Sequence, residues 1–114
     1  MIPPHTIIEI ACTPGKITPH EFLYGNKSNE VLEARYTAYL LLKRHSRFTN
    51  RKLAYIADRS ESSISKAIRY IEAAIKEPGL DQRKLRLIEA IEAAEKVIEV
   101  NKFIIESINS GKFE

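Results

Sequence analysis

The stretch LAYIADRSESSISKAIR, residues 53–69, decides the fold of this chain. It opens with a short helical pattern in which Leu53 and Ile56 share an inward face, and three polar residues then interrupt the period. Ser60 is a favourable N-cap, and a second helical pattern follows in which Ile64 faces inward. Two short amphipathic helices joined by a tight polar turn are typical of a DNA-binding helix-turn-helix, and we expect one here.

The side chains at the start of the second helix are small and polar, so this end of the helix could approach DNA closely. Ser60, Ser62 and Ser63 leave this helix end open, where amides and hydroxyls can reach phosphates and base edges. An ordinary helical hairpin with a serine-rich cap is the alternative. The predicted DNA contacts are Lys27, Arg35, Arg51, Lys52, Arg59, Ser60, Glu61, Ser62, Ser63, Lys66 and Arg69.

Capping residues around this motif predict further helices. Thr18 and Glu21 have the spacing of a capping box, and Thr49 precedes the first helix of the motif. Between them, residues 30–45 carry a continuous apolar stripe at helical spacing. No segment shows the sustained alternation of a strand, so the sequence predicts an all-α fold.

The chain divides into two parts at the proline and glycine of positions 78 and 79. Residues 1–77 are predicted to form the helix-turn-helix domain. Residues 78–114 are predicted to carry one long amphipathic helix that begins after Asp81 and continues to about Asn109. This helix would serve either for packing or for dimerisation.

The apolar positions of the long helix alternate by four and three residues, which is the spacing of a coiled-coil seam. A lone Asn101 within such a seam would favour two parallel strands and a homodimer. The alternative is that the helix folds back and covers the core of its own chain. The predicted seam consists of Leu87, Ile91, Ala94, Ile98, Asn101, Ile105 and Ile108.

Charge is distributed unevenly along the chain. The net charge is +3 overall, but residues 27–72 hold ten Lys or Arg against five acids, which gives +5. Residues 77–114 hold six bases against eight acids, which gives −2. A basic centre followed by an acidic segment is expected of a polyanion-binding unit joined to a packing or partner segment, although a solvated basic surface would look the same.

Composition excludes several other classes of site. Four glycines do not form a phosphate-binding loop, and no cluster of acid, base and nucleophile is evident, so we expect neither a cofactor nor catalysis. The spacing of His5, Cys12 and His20 matches no compact zinc motif, so we expect no metal site. The single cysteine and the short apolar runs favour a cytoplasmic protein without a membrane span.

Several segments resemble the C-terminal duplex-binding domain of the bacterial replication initiator DnaA, which belongs to the Trp-repressor-like helical group. The resemblance covers residues 5–72. It rests on TIIEIA at residues 6–11, ITPHEFL at 17–23, EAR at 33–35, SI at 63–64 and RYIE at 69–72.

The resemblance implies roles for individual positions. Arg35 falls on a phosphate-contacting arginine, and Lys27 falls in a basic loop that enters the minor groove. Residues 59–63 fall on the signature that reads the initiator box in the major groove. Here Ser60 and Glu61 replace the Asp-His pair of that signature, so the resemblance implies the scaffold without the box specificity.

Together these features predict a small, non-catalytic protein that binds double-stranded DNA with sequence preference and regulates transcription or replication. Its affinity would come from phosphate neutralisation and its selectivity from base edges. A helical protein-interaction adaptor is the alternative. Tyr36, Tyr39, Tyr55 and Tyr70 are expected to pack in or over the core rather than stack on bases.

Overall fold

In the computed structural model, the described residues are 2–25 and 28–109, with side chains up to residue 106, and they contain helices but no strand. The all-α prediction is confirmed for these residues. The helices are α1 (Pro4–Cys12), α2 (Pro19–Tyr24), α3 (Asn29–Ser46), α4 (Asn50–Ala57), α5 (Glu61–Lys76) and α6 (Gln82–Asn109).

The helix starts follow the predicted caps. The Thr18 hydroxyl accepts a hydrogen bond from the Glu21 backbone N–H at 3.1 Å, and the Glu21 carboxylate accepts one from the Thr18 N–H at 3.1 Å. This reciprocal pair is a capping box and satisfies two amides that have no partner within the helix. The Asp81 carboxylate likewise accepts from the backbone N–H of Arg83 at 2.9 Å, at the start of α6.

The central element is α3, which contacts α1, α2, α5 and α6. Every residue from position 37 to position 42 is buried, because neighbouring helices surround this part of α3 on all sides. Leu41 and Leu42 lie at the middle of the core together with Ile7 of α1 and Ile71 of α5. An amphipathic stripe alone would predict burial on one face only.

The long helix α6 covers this same core. Leu87, Ile91, Ala94 and Ile98 are buried within it, and Ile105 packs against it. Of the two alternatives that the sequence left open, the structure shows intramolecular packing, so these side chains are not available as a seam for a second copy. The helix predicted as a separate part in residues 78–114 therefore shares one core with residues before it.

Asn101 does not lie in the buried environment of a coiled-coil seam, where it would pair with the same residue of a second chain. Its Nδ2 donates to the backbone carbonyl of Val97 at 3.0 Å, one turn earlier on α6. This local bond satisfies the side-chain amide without a partner chain. The side chain of Ile108, the last member of the predicted seam, lies outside the described residues.

A polar cluster fixes the end of α3 against α6. The Glu95 carboxylate lies 2.8 Å from Nε2 of His45 and 3.8 Å from the Arg44 guanidinium. Nζ of Lys102 lies 3.0 Å from Nδ1 of His45. An ammonium group can only donate, so Nδ1 accepts, and the ring proton on Nε2 is donated to Glu95. These bonds set the register between the two helices.

Cys12 belongs to the core, and burial raises the pKa of its thiol to about 11. The neutral thiol is the less reactive form, since the thiolate is the nucleophile and the metal ligand. The described residues contain no group of three or more potential metal ligands. Within the same ranges, no helix combines the length and the apolar character needed to cross a bilayer.

Candidate nucleic-acid interface

The turn between α4 and α5 is closed by backbone hydrogen bonds. Asp58 adopts the left-handed conformation with φ of 53° and ψ of 49°, and the Arg59 N–H donates to the Ala54 carbonyl at 3.0 Å. Aspartate is one of the residues that tolerates this conformation better than most. Ser60 then caps α5, because its hydroxyl accepts from the Ser63 N–H at 3.1 Å. A three-residue turn thus joins the two helices at the positions that the sequence predicted.

Apolar side chains hold the two helices of this motif together. Leu53 and Ala57 of α4 are buried, as are Ile64 and Ile68 of α5. Their burial leaves the opposite faces of both helices in solvent. The two predicted helices are therefore present and pack through apolar side chains, with a largely polar outer surface.

A polar network not expected from the sequence fixes α4 to its neighbours. The Lys43 ammonium of α3 donates to Oδ1 of Asn50 at 2.7 Å. Nδ2 of Asn50 donates in turn to the Ser65 hydroxyl of α5 at 3.2 Å. All three groups are partly buried, which strengthens such bonds relative to exposed ones. The start of α4 is therefore tied to α3 and α5 at once.

The outer face of α5 is basic and free of bulky apolar side chains at its start. Ser62, Lys66 and Arg69 follow one another by four and three residues, so they line a single face, and all three are exposed. Glu61 and Ser63 are exposed at the same end. Arg69 contacts its own helix, with Nε 3.4 Å from the Ser65 carbonyl. This face therefore carries two cations, which follow the hydroxyl-rich first turn of α5.

The outer face of α4 adds two cations and an aromatic ring. Arg51, Lys52 and Tyr55 are exposed and lie within one helical turn of each other. The Lys52 ammonium lies 4.4 Å from the centre of the Phe48 ring. This cation–π contact holds the Lys52 side chain against the ring. Tyr55 is 89% exposed. The expectation that Tyr55 packs in or over the core is wrong, because Leu53 and its neighbours occupy the inward face.

The other three tyrosines match the expectation. Tyr39 is buried, and burial raises the pKa of its phenol. Tyr36 and Tyr70 pack against the core with their ring centres 5.3 Å apart. Tyr24, which the sequence analysis did not single out, is 63% exposed at the end of α2.

Arg59 connects the turn of the motif to α2. One terminal nitrogen of its guanidinium donates to the Leu23 carbonyl at 3.3 Å. The rest of the side chain is exposed at the start of α5. Arg59 therefore reaches the surface that the resemblance assigns to base reading, and it also contacts the last turn of α2.

Arg35 does not lie where the sequence analysis placed it. It is only 4% exposed, and its Nε donates to the Phe22 carbonyl at 2.7 Å. One terminal nitrogen donates to the Gly25 carbonyl at 3.0 Å. Burial lowers the pKa of this guanidinium, and the nearby charge of Arg59 lowers it further. Arg35 binds the C-terminal carbonyls of α2 in a buried position, so the prediction that it contacts a DNA phosphate is wrong.

The remaining predicted contacts that the structure describes lie on α4, on α5 and in the turn between them. Lys27 lies outside the described residues. The other exposed members are Arg51 and Lys52 on α4, Arg59 and Ser60 in the turn, and Glu61, Ser62, Ser63, Lys66 and Arg69 on α5.

Comparison of the chain with models of protein families, with curated proteins and with solved structures gives no significant match. Function is therefore inferred from the exposed residues of α4, α5 and the turn between them.

Proposed function

We propose that this chain binds double-stranded DNA through the helix-turn-helix of α4 and α5, with the start of α5 in the major groove. The observation that supports this most is the outer face of α5. Its first turn carries the hydroxyls of Ser62 and Ser63, and Ser62, Lys66 and Arg69 line one exposed face. Such a helix end can approach base edges closely while its cations meet the phosphates.

The contacts divide into two kinds. Arg51, Lys52, Lys66 and Arg69 neutralise phosphates on either side of the groove and supply most of the affinity. Residues 59–62 lie at the start of the recognition helix and supply the base preference. Arg35 supports the surface from inside, because it holds the end of α2 to which Arg59 also binds.

The finer assignments belong to this proposal as well. We infer a Trp-repressor-like arrangement related to the C-terminal domain of DnaA, and a role as a cytoplasmic regulator of transcription or replication. The resemblance in residues 5–72 and the basic centre of the chain support both.

Salt dependence of duplex binding tests the proposal. With four phosphate contacts, the logarithm of the association constant is expected to fall against the logarithm of salt concentration with a slope of about −3 to −4. Fluorescence anisotropy of a labelled duplex, titrated at several salt concentrations, measures this slope. Arg51→Ala should reduce its magnitude by about 1.

The same titration can contradict the proposal. An undetectable affinity for duplex at low salt would remove DNA binding and favour the helical adaptor. The ring of Tyr55, which is 89% exposed on α4, is the observation that favours that second function.

A further inference from the structure

The second half of α6 carries an apolar face that the core does not cover. Val97, Val100 and Ile104 are 45%, 57% and 42% exposed, and Phe103 beside them is 62% exposed. The other large apolar side chains exposed in the described part of the chain lie on different elements, namely α2, α4, α5 and the turn before α6. Scattered exposed apolar residues need no explanation, whereas a contiguous set marks an interaction surface.

This face continues toward the start of α6 through two alanines. Ala90, Ala93, Val97, Val100 and Ile104 follow one another by three and four residues in turn. We call this set the second face of α6, to distinguish it from the face that covers the core. These residues have the spacing of the apolar positions at which two packed helices meet. A helix with two apolar faces can cover the core of its own chain with one face and contact another helix with the second face.

The size of the patch is consistent with a weak but specific contact. The four exposed side chains present on the order of 400 Å² of apolar surface, comparable with the largest patches of typical monomers. Two such patches brought together remove roughly 800–1,000 Å² from water, just below the usual range for stable complexes. An area of this size is typical of weak, reversible contacts rather than of obligate dimers.

We propose that the second face of α6 binds the same face of a second copy of this chain, with the two helices antiparallel. The order of side-chain sizes along this face favours the antiparallel pair. The face is small at its start, at Ala93, and large at its end, at Ile104. An antiparallel pair places Ile104 of each copy opposite Ala93 of the other, with Val97 opposite Val100 between them. A parallel pair would place alanine on alanine and leave a gap, which close-packed interfaces avoid.

Two residues that flank the second face of α6 are also consistent with the antiparallel pair. Lys96 lies on the same side of the second face as Phe103, seven residues away. In the antiparallel register, Lys96 of one copy lies near the Phe103 ring of the other, where an ammonium group and an aromatic face attract. The pair has two-fold symmetry, so each contact occurs twice. This inference is independent of DNA binding.

Sedimentation of the full chain between about 10 µM and 1 mM tests the proposal, since this range detects weak self-association. The wild-type chain should move toward the dimer mass as its concentration rises. Val100→Glu should remain monomeric throughout, because it would bury a carboxylate at the centre of the contact. Leu80→Glu is the matched control: Leu80 is 93% exposed outside the second face, and this variant should dimerise like the wild type.

Circular dichroism verifies that Val100→Glu is folded, as expected for a position that is more than half exposed. A wild-type chain that stays monomeric to the highest concentration would overturn the proposal. So would a Val100→Glu variant that dimerises normally.

Disulfide trapping tests the orientation independently of stability. Under mild oxidation, a mixture of Val97→Cys and Val100→Cys chains should cross-link much faster than either variant alone, because the antiparallel pair places these positions opposite each other. Buried Cys12 is common to all samples. Faster cross-linking of each variant with itself would indicate a parallel pair and overturn the antiparallel assignment.

Discussion

Replacing Lys66 and Arg69 together by glutamate is expected to lower duplex affinity about 100-fold near 0.1 M salt, without unfolding the chain. Both side chains are exposed on the outer face of α5, so neither contributes buried contacts to the core. Two lost phosphate contacts account for most of the change, and repulsion between the new carboxylates and the phosphates adds to it. Anisotropy titrations of one labelled duplex measure the effect.

The matched control changes the net charge by the same amount at a distant surface. Arg83→Glu with Lys16→Glu alters two exposed cations that lie outside α4, α5 and the second face of α6, and duplex affinity should fall far less than for the α5 pair. Equal losses for the two double variants would show that only overall charge matters. In that case the α5 face would have no special part in binding.

Arg35→Ala is expected to lower the free energy of unfolding by about 2–4 kcal/mol. The change removes a buried guanidinium and leaves the Phe22 and Gly25 carbonyls without their partners, so the end of α2 loses its attachment to α3. Urea denaturation at neutral pH, followed by circular dichroism, measures this loss as a lower midpoint.

Two variants sharpen this test. Arg35→Lys keeps the charge but not the two-point geometry, so it should destabilise to an intermediate extent. Arg44→Ala lies on the same helix, where the guanidinium is exposed and 3.8 Å from Glu95, and should cost less than about 1 kcal/mol. A fully stable Arg35→Ala chain with weakened duplex binding would instead support the surface role that the resemblance implied.

Features that depend on a few neighbouring residues were predictable from the sequence. The caps at Thr18, Thr49 and Ser60 act within one helical turn, and the structure shows each of them. The three-residue turn after Ala57 was predictable for the same reason. Local hydrogen bonds and turn residues decide these elements, so the rest of the fold has little influence on them.

Features that depend on the surroundings of a helix were not predictable in the same way. The seam spacing of α6 is identical for packing within one chain and between two, so only the structure distinguishes them. Arg35 did carry a signal, since it lies four residues after Val31 and three before Ala38 on the inward face of α3. The assumption that an arginine stays at the surface outweighed that signal.

The exposed residues of the candidate interface were predictable from the sequence, but the hydrogen bonds that hold its helices in place were not. The exposed cations of α4 and α5 followed from the helical pattern. The Lys43–Asn50–Ser65 network joins residues from three helices, and no local spacing brings them together. The exposure of Tyr55 follows from the inward position of Leu53, but tyrosine alone is compatible with either environment.

Mapping of duplex contacts by NMR tests the central claim most directly. Amide signals of an isotope-labelled chain, recorded during titration with unlabelled duplex at low salt, report which residues meet DNA. The account predicts that the largest shifts fall within residues 50–69, with the exposed surface of α6 unaffected. Shifts confined to α6 or α1, or no shifts at saturating duplex, would contradict the assignment of α4 and α5 as a DNA-binding helix-turn-helix.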